Sequence, residues 1–165
     1  MIILNIVLLE PEIPTNTGNI GRSCISTNSS LHLIKPLGFF VDDKSLKRSG
    51  LDYWPDLDVH YYDDYEDFLS KHKGRQIFYA CSKALNVYTE VRYDPDAFII
   101  FGKESAGIPE EILLQNKEHC IRIPMAANYR SLNLASAAAV VLYEALRQND
   151  FAGLEREGKL HHYEW

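Results

Sequence analysis

The chain lacks most of the features that would mark a secreted, membrane-bound or metal-binding protein. No stretch reaches the roughly 18 consecutive apolar residues that a membrane-crossing helix needs. The apolar start, Met1 to Leu9, has no basic flank and meets Glu10-Pro11 too soon for a signal peptide. A cytoplasmic protein is therefore expected. Cysteine is scarce: Cys24, Cys81 and Cys120 are far apart, odd in number, and form neither a CxxC pair nor a Cys/His set with zinc spacing. They suit small buried hydrophobes in a reducing compartment, and no metal is expected. His161 and His162 are adjacent, but in a short polar tail that reads as solvated rather than ligating. Positive charge is also short, with 17 Lys and Arg against 23 Asp and Glu and a net charge of −6. That excludes indiscriminate nucleic-acid binding, which draws on broad basic surface, but not RNA as such. The segment Asp52 to Asp67 is densely acidic, whereas basic residues gather at Lys44, Lys47 and Arg48 and at Lys71, Lys73 and Arg75.

What is present suits one globular domain spanning residues 1–165, with 46% hydrophobic and 24% charged residues. Repeats and low-complexity linkers are missing. Ile2 to Leu9 reads as a strand buried on both faces, closed by Pro11 and Pro14. Thr15 or Asn16 can cap a helix running to about Asn28. Leu31 to Lys35 reads as a strand, Asp43 to Ser49 and Asp63 to Lys71 as helices, and Gln76 to Cys81 and Ala97 to Phe101 as apolar strands. Pro109 opens a helix through Gln115. His119 to Ile123 is another strand, and Leu132 to Gln148 the longest helix. This alternation predicts an α/β fold, a mostly parallel sheet flanked by helices.

In the last helix, Leu134, Ala138, Val141, Leu142 and Ala145 share one face at helical spacing, while Ala135, Ala137 and Ala139 put small residues elsewhere. Charge is thin up to Glu144, so the helix is expected to be buried nearly all round. In a chain this short, that points to a subunit interface; the alternative is a central core helix in a monomer.

Three stretches break the ordinary rules for element ends, each where a parallel sheet delivers its C-terminal edge. In Asn16-Thr17-Gly18-Asn19-Ile20-Gly21-Arg22, two glycines occupy the opening turns of a helix, each costing about 1 kcal/mol against Ala. Either a ligand or a backbone comes close there, or the stretch is an Asx-capped helix with a surface arginine. Phe98 to Pro109 runs an apolar strand into the loop Gly102-Lys103-Glu104-Ser105-Ala106-Gly107, suited to holding a small ligand against main-chain groups. It matches neither the Walker loop nor GxGxxG, and an ordinary turn with Glu104 on the surface is the alternative. In Ile121 to Leu134, a strand ends at Pro124 and Ser131 or Asn133 caps the long helix. Arg130 stands at that helix N-terminus, where the macrodipole disfavours a cation unless an anion such as phosphate joins it; an exposed arginine with no role is the plainer reading.

Together the three stretches resemble the signature motifs of the SPOUT RNA methyltransferases, and within them the minimal tRNA wobble-ribose 2′-O-methyltransferases. The likeness spans nearly the whole chain. It starts at Asn5-Ile6-Val7-Leu8 and Glu10-Pro11-Glu12-Ile13-Pro14, and includes Asp42-Asp43-Lys44 and Arg48-Ser49-Gly50-Leu51-Asp52-Tyr53. It closes on Arg130-Ser131-Leu132-Asn133-Leu134 and Val140 to Ala145. The resemblance implies a C-terminal trefoil knot, a homodimer, and S-adenosyl-L-methionine bound in bent form, largely by main-chain groups. Carried onto this chain, the cofactor positions are Ala80, Gly102, Ile123 and Ser131, with Leu132 beside them.

The same resemblance implies methyl transfer to a ribose 2′-hydroxyl of the tRNA anticodon loop, without a metal. It makes Arg22 and Glu104 catalytic. Glu104 is expected to orient Arg22 or the ribose, and Arg130 to contact the tRNA backbone. Asn19, Asn133 and Tyr143 complete the substrate site, and Lys44, Lys47 and Arg48 belong to the anticodon-loop surface, with Tyr53 as a stacking partner. The chain departs from the family pattern at Lys103 and Ala106, where proline and arginine are frequent, and at Gly21 before the motif-one arginine. With the first strand at Ile2, no separate N-terminal RNA-binding domain is expected, which favours a small epitope. The competing expectations are a SPOUT methyltransferase for another tRNA or rRNA nucleotide, and a non-catalytic RNA-binding dimer of the same fold.

Overall fold

The computed structural model describes residues 3–40, 52–128 and 130–165. The helix expected over Asp43 to Ser49 lies outside them, as do Lys44, Lys47 and Arg48. Seven strands form one sheet: β1 (Asn5–Leu9), β2 (Ser30–Ile34), β3 (Val59–Tyr62), β4 (Ile77–Ala80), β5 (Asn86–Val87), β6 (Phe98–Phe101) and β7 (Cys120–Arg122). Their order is β3-β2-β1-β6-β4-β7-β5, and each pairing is parallel. Among the described residues, four α-helices accompany them: α1 (Pro14–Ser26), α2 (Tyr65–Lys71), α3 (Glu110–Gln115) and α4 (Leu134–Gln148).

The central strands are apolar on both faces because both faces are covered. Along β1, Ile6 and Leu8 enter one core with Ile20 of α1 and Ala138, Val141, Leu142 and Ala145 of α4. Val7 and Leu9 enter the other with Phe68 of α2, Ile108 and, from β6, Ile100. An unbroken apolar run thus gives a strand buried throughout. β3 and β5 escape the sequence reading. β3 is polar and half exposed, and β5 is two residues long, so neither has the apolar run that betrays an inner strand.

Two helix starts differ from expectation. α1 begins at Pro14, with Ile13 at the N-cap position and no side-chain cap there, rather than at a cap from Thr15 or Asn16. Proline serves at N1 because its missing N–H has no intrahelical partner in any case. At α4, Asn133 alone of the two expected caps serves, its Oδ1 accepting from the N–H groups of Ala135 and Ser136 at 2.9 and 3.2 Å. Within a single chain α4 is not buried all round: Val140 is 39% and Tyr143 49% exposed.

Candidate active site

The C-terminal ends of β1, β4, β6 and β7 all point to one edge of the sheet, and the loops leaving them meet there. They enclose a cleft of about 820 Å³. That volume suits a nucleoside-sized ligand. Ala80, Gly102, Ile123, Ser131 and Leu132 all line it, as do Glu104, Arg130 and Asn133. Chain segments some fifty residues apart in sequence are thus brought to one cavity. Its inner wall is apolar, from Phe101, Ile121, Leu134, Ala137 and Val141. Lys83, Lys103, Arg122 and Arg130 line it against Glu104 and Glu110, a local positive excess in a chain of net charge −6.

The loop after β6 is folded back on itself by glycine. Gly107, at φ +72°, donates its N–H to the Lys103 carbonyl at 2.8 Å, closing a short antiparallel bridge. Gly102 lies beneath that bridge. A Cβ there would stand 2.1 Å from the Gly107 carbonyl carbon and 2.2 Å from the Ile108 nitrogen, so only glycine permits the closure.

The same loop is fastened to the segment entering α1. Lys103 Nζ meets Glu10 Oε2 at 2.9 Å, and Glu12 accepts from the Ser105 N–H at 2.8 Å and from its hydroxyl at 2.9 Å. These two Ser105 bonds hold the Glu12 carboxyl below its ordinary pKa. The departure at Lys103 thus has a local partner in Glu10. Glu104 answers in the other direction. Its Oε2 accepts from the Glu12 N–H at 2.8 Å, and its Oε1 from the Ile13 N–H at 3.2 Å and Asn16 Nδ2 at 3.1 Å. It therefore fixes the segment that enters α1, while the first turn of the helix itself has no side-chain cap. Within one chain, Glu104 holds the opening of α1.

Asn16 carries the connection onward. Its Oδ1 accepts from Asn133 Nδ2 at 3.0 Å, and Asn133 in turn caps α4. A side-chain relay, Glu104 to Asn16 to Asn133, ties together all three motif stretches. Asn16 is only 7% exposed. The sequence reading treated Asn16 as a candidate helix cap and missed this linking role. The signal available was an amide residue, able to donate and accept at once, in the opening turn of a helix.

Arg22, Asn19 and Tyr143 are exposed and are not among the residues lining the cleft. Arg22 and Asn19 belong to α1 and Tyr143 to α4, helices that pack against each other. The Arg22 guanidinium lies over the Tyr53 ring, 5.0 Å from its centroid. At least one face of that ring is thereby covered, unlike the open stacking surface expected for Tyr53. Gly21, the other departure, faces the 3-10 turn Trp54–Asp56. A Cβ on Gly21 would lie 2.9 Å from Leu57 Cδ2 and 3.2 Å from the Trp54 ring, so the glycine is what lets this turn dock. Among the described residues there is no cluster of His, Cys, Asp or Glu able to hold a metal ion, and no helix long and apolar enough to cross a membrane.

Comparison with known proteins agrees with this geometry. The SpoU rRNA Methylase family matches residues 3–143. The tRNA (cytidine(34)-2′-O)-methyltransferase of Methylovorus glucosotrophus is 47% identical over 150 residues, 90% of this chain and 97% of that protein. A solved structure described as giving insight into the 2-OH methylation of C/U34 on tRNA superposes with a TM-score of 0.84 at 41% identity, covering 90% of this chain and 97% of the other. The AdoMet-bound rRNA methyltransferase from Sinorhizobium meliloti superposes with a TM-score of 0.74 at 27% identity, covering 88% of this chain but 56% of the other.

Proposed function

Because the chain belongs to the SpoU rRNA Methylase family, we propose that it transfers the methyl group of S-adenosyl-L-methionine to the ribose 2′-oxygen of tRNA nucleotide 34. The observation that carries this is the single cleft where Ala80, Gly102, Ile123, Ser131 and Leu132 converge, with Glu104, Arg130 and Asn133 beside them. Its fit to the cofactor is supported by the loop after β6, which Gly102 allows to close on itself and which lines the cleft. An apolar wall suits an adenine ring, and loop amides and carbonyls suit main-chain recognition. When bound, the cofactor supplies a methyl group already activated on a sulfonium. The work left to the protein is alignment of the 2′-oxygen and removal of its proton.

Arg22 takes the central role in that work. Its pKa above roughly 12 makes it a poor base, but its planar fork can hold a phosphate and the 2′-oxygen together. Held by Arg22, the 2′-hydroxyl would give its proton to that phosphate, directly or through a guanidinium that has first passed its own proton there. Glu104 acts through α1, securing the start of the helix that bears Arg22. Arg130, at the mouth of α4, suits a backbone phosphate. Lys44 and Arg48 serve as anticodon-loop contacts, and Asn19 and Tyr143 as contacts near the ribose.

A homodimer completes this site. Arg22, Asn19 and Tyr143 are exposed on the paired helices α1 and α4, outside the cleft of their own chain, together with Val140. Isologous pairing through these helices would bring Arg22 of one chain to the cleft of the other. The C-terminal trefoil knot is supported by the strand order, since the segment leaving β7 lines the same cleft as the loops after β4 and β6. A tRNA substrate makes the cytoplasm the compartment of action. Transfer of tritiated methyl to total tRNA, followed by nucleoside analysis, tests the function. Label in 2′-O-methylated cytidine or uridine at position 34 is expected. Label at another tRNA nucleotide, or in rRNA supplied in place of tRNA, would redirect the substrate, and failure to bind S-adenosyl-L-methionine in calorimetry would leave only an RNA-binding scaffold.

A further inference from the structure

Arg22 lies on an exposed helical face, where a long flexible side chain loses considerable rotamer freedom if it is to act in one geometry. The segment that follows residue 51 addresses this. Tyr53 places its ring under the guanidinium, with the charge 5.0 Å from the ring centroid. Its hydroxyl donates to the Gly18 carbonyl, in the helical turn that ends at Arg22. The ring is thus anchored to the same turn it supports. Gly21 makes the approach feasible by admitting Leu57 and the Trp54 ring to contact distance. Tyr53 is half-buried and its hydroxyl pKa is raised by burial, with the Arg22 charge pulling the other way, so it stays a neutral donor near neutral pH.

We propose that Tyr53 is a positioning residue for methyl transfer, holding the Arg22 guanidinium by a cation–π contact from a platform bolted to α1 at Gly18 and Gly21. The inference rests on the reading of Arg22 given above. It also accounts for Gly21: the glycine makes room for the turn that carries the ring.

The test is steady-state and single-turnover methyl transfer with Tyr53→Leu, Tyr53→Phe and Tyr53→Trp, beside Arg22→Ala, in the full-length protein. Loss of the aromatic face should lower kcat by about tenfold or more. The affinities for S-adenosyl-L-methionine and tRNA should stay within about twofold, and Phe and Trp, which keep a ring face but lose the bond to the Gly18 carbonyl, should recover part of the rate. Gly21→Ala gives an independent arm. It retains the ring but displaces its platform, and it should lower kcat in the same way. If Tyr53→Leu weakens tRNA binding while leaving kcat intact at saturating tRNA, the ring is an RNA platform and the proposal falls. It also falls if Tyr53→Leu turns over normally while Arg22→Ala is inactive, which leaves the role of Arg22 standing. Full activity of Arg22→Ala would remove both. Should Tyr53→Leu unfold, the comparison of wild type with Tyr53→Phe, Tyr53→Trp and Gly21→Ala decides: normal kcat in Gly21→Ala refutes the platform.

Discussion

Stability should fall steeply as pH drops below about 6.5, through a single buried histidine on β2. His32 is 3% exposed and stacks on His60 at 4.6 Å between ring centroids. Asn5 donates its amide N–H groups to the carbonyls of Ile3 and Asp96, which leaves its Oδ1 as an acceptor. His32 Nε2, 3.0 Å from that oxygen, must therefore carry the proton. Nδ1 then accepts from the Tyr62 hydroxyl at 2.8 Å, and that oxygen accepts in turn from His72 Nε2 at 2.8 Å. A second proton on His32 would turn Nδ1 into a donor and disrupt this order.

Burial first, then the charges of His60 and His72, push the His32 pKa down from 6.5 to about 3, with Asp58 opposing. The unfolded chain takes up the proton and the folded one refuses it. Stability is therefore full above pH 6.5 and is lost progressively down to pH 3. Linkage puts the loss at about 2 kcal/mol by pH 5 and about 5 kcal/mol below pH 3, against a typical total of about 5–15 kcal/mol. His72, whose pKa burial also lowers, adds in the same direction. Urea unfolding at fixed protein concentration and ionic strength, near pH 7.5 and near pH 5, measures the loss. His32→Gln can donate to Asn5 and accept from Tyr62 without titrating. It should be less stable at neutral pH but lose about 2 kcal/mol less on acidification. Equal acid sensitivity in the two proteins, or stability in wild type that does not change between the two pH values, would refute the reasoning.

Three further outcomes are expected. Arg22→Lys keeps the charge but not the fork, and should lose at least about tenfold in kcat with cofactor affinity unchanged; turnover near wild type would count against the assigned role. Gly102→Ala places a methyl group against the Gly107 carbonyl, and calorimetry should show S-adenosyl-L-methionine binding weakened by at least about tenfold. Glu104→Gln sets an amide N–H group against the amides of Glu12 or Ile13, and urea unfolding should report a loss of about 1–3 kcal/mol. A Glu104→Gln protein as stable as wild type would mean that the carboxylate does not anchor α1.

Much of the architecture was legible because hydrophobic periodicity reflects burial directly. The apolar runs at β1 and β6 could be satisfied only inside a doubly covered sheet, and the buried face of α4 followed from its spacing, whereas the burial expected of its other faces is not met within one chain. Local rules read the caps less well. Pro14 at the first helical position took the place of the expected side-chain cap of α1, and Glu104, 88 residues downstream of Asn16, secures the start of that helix from a distance. A partner that distant leaves no mark on the sequence nearby.

The functional residues divide in the same way. A glycine-bearing loop after an apolar strand, an arginine at a helix opening and an asparagine able to cap a long helix are local signals, so the sequence alone could nominate Gly102, Arg130 and Asn133. It could also establish a parallel α/β class, since strand and helix periods are written in consecutive residues. The joining of Glu104, Asn16 and Asn133, the bed of Tyr53 under Arg22 and the buried state of His32 came only from tertiary structure. Each depends on which groups meet across the fold, and hydrogen bonding and desolvation are decided by neighbours in space rather than along the chain.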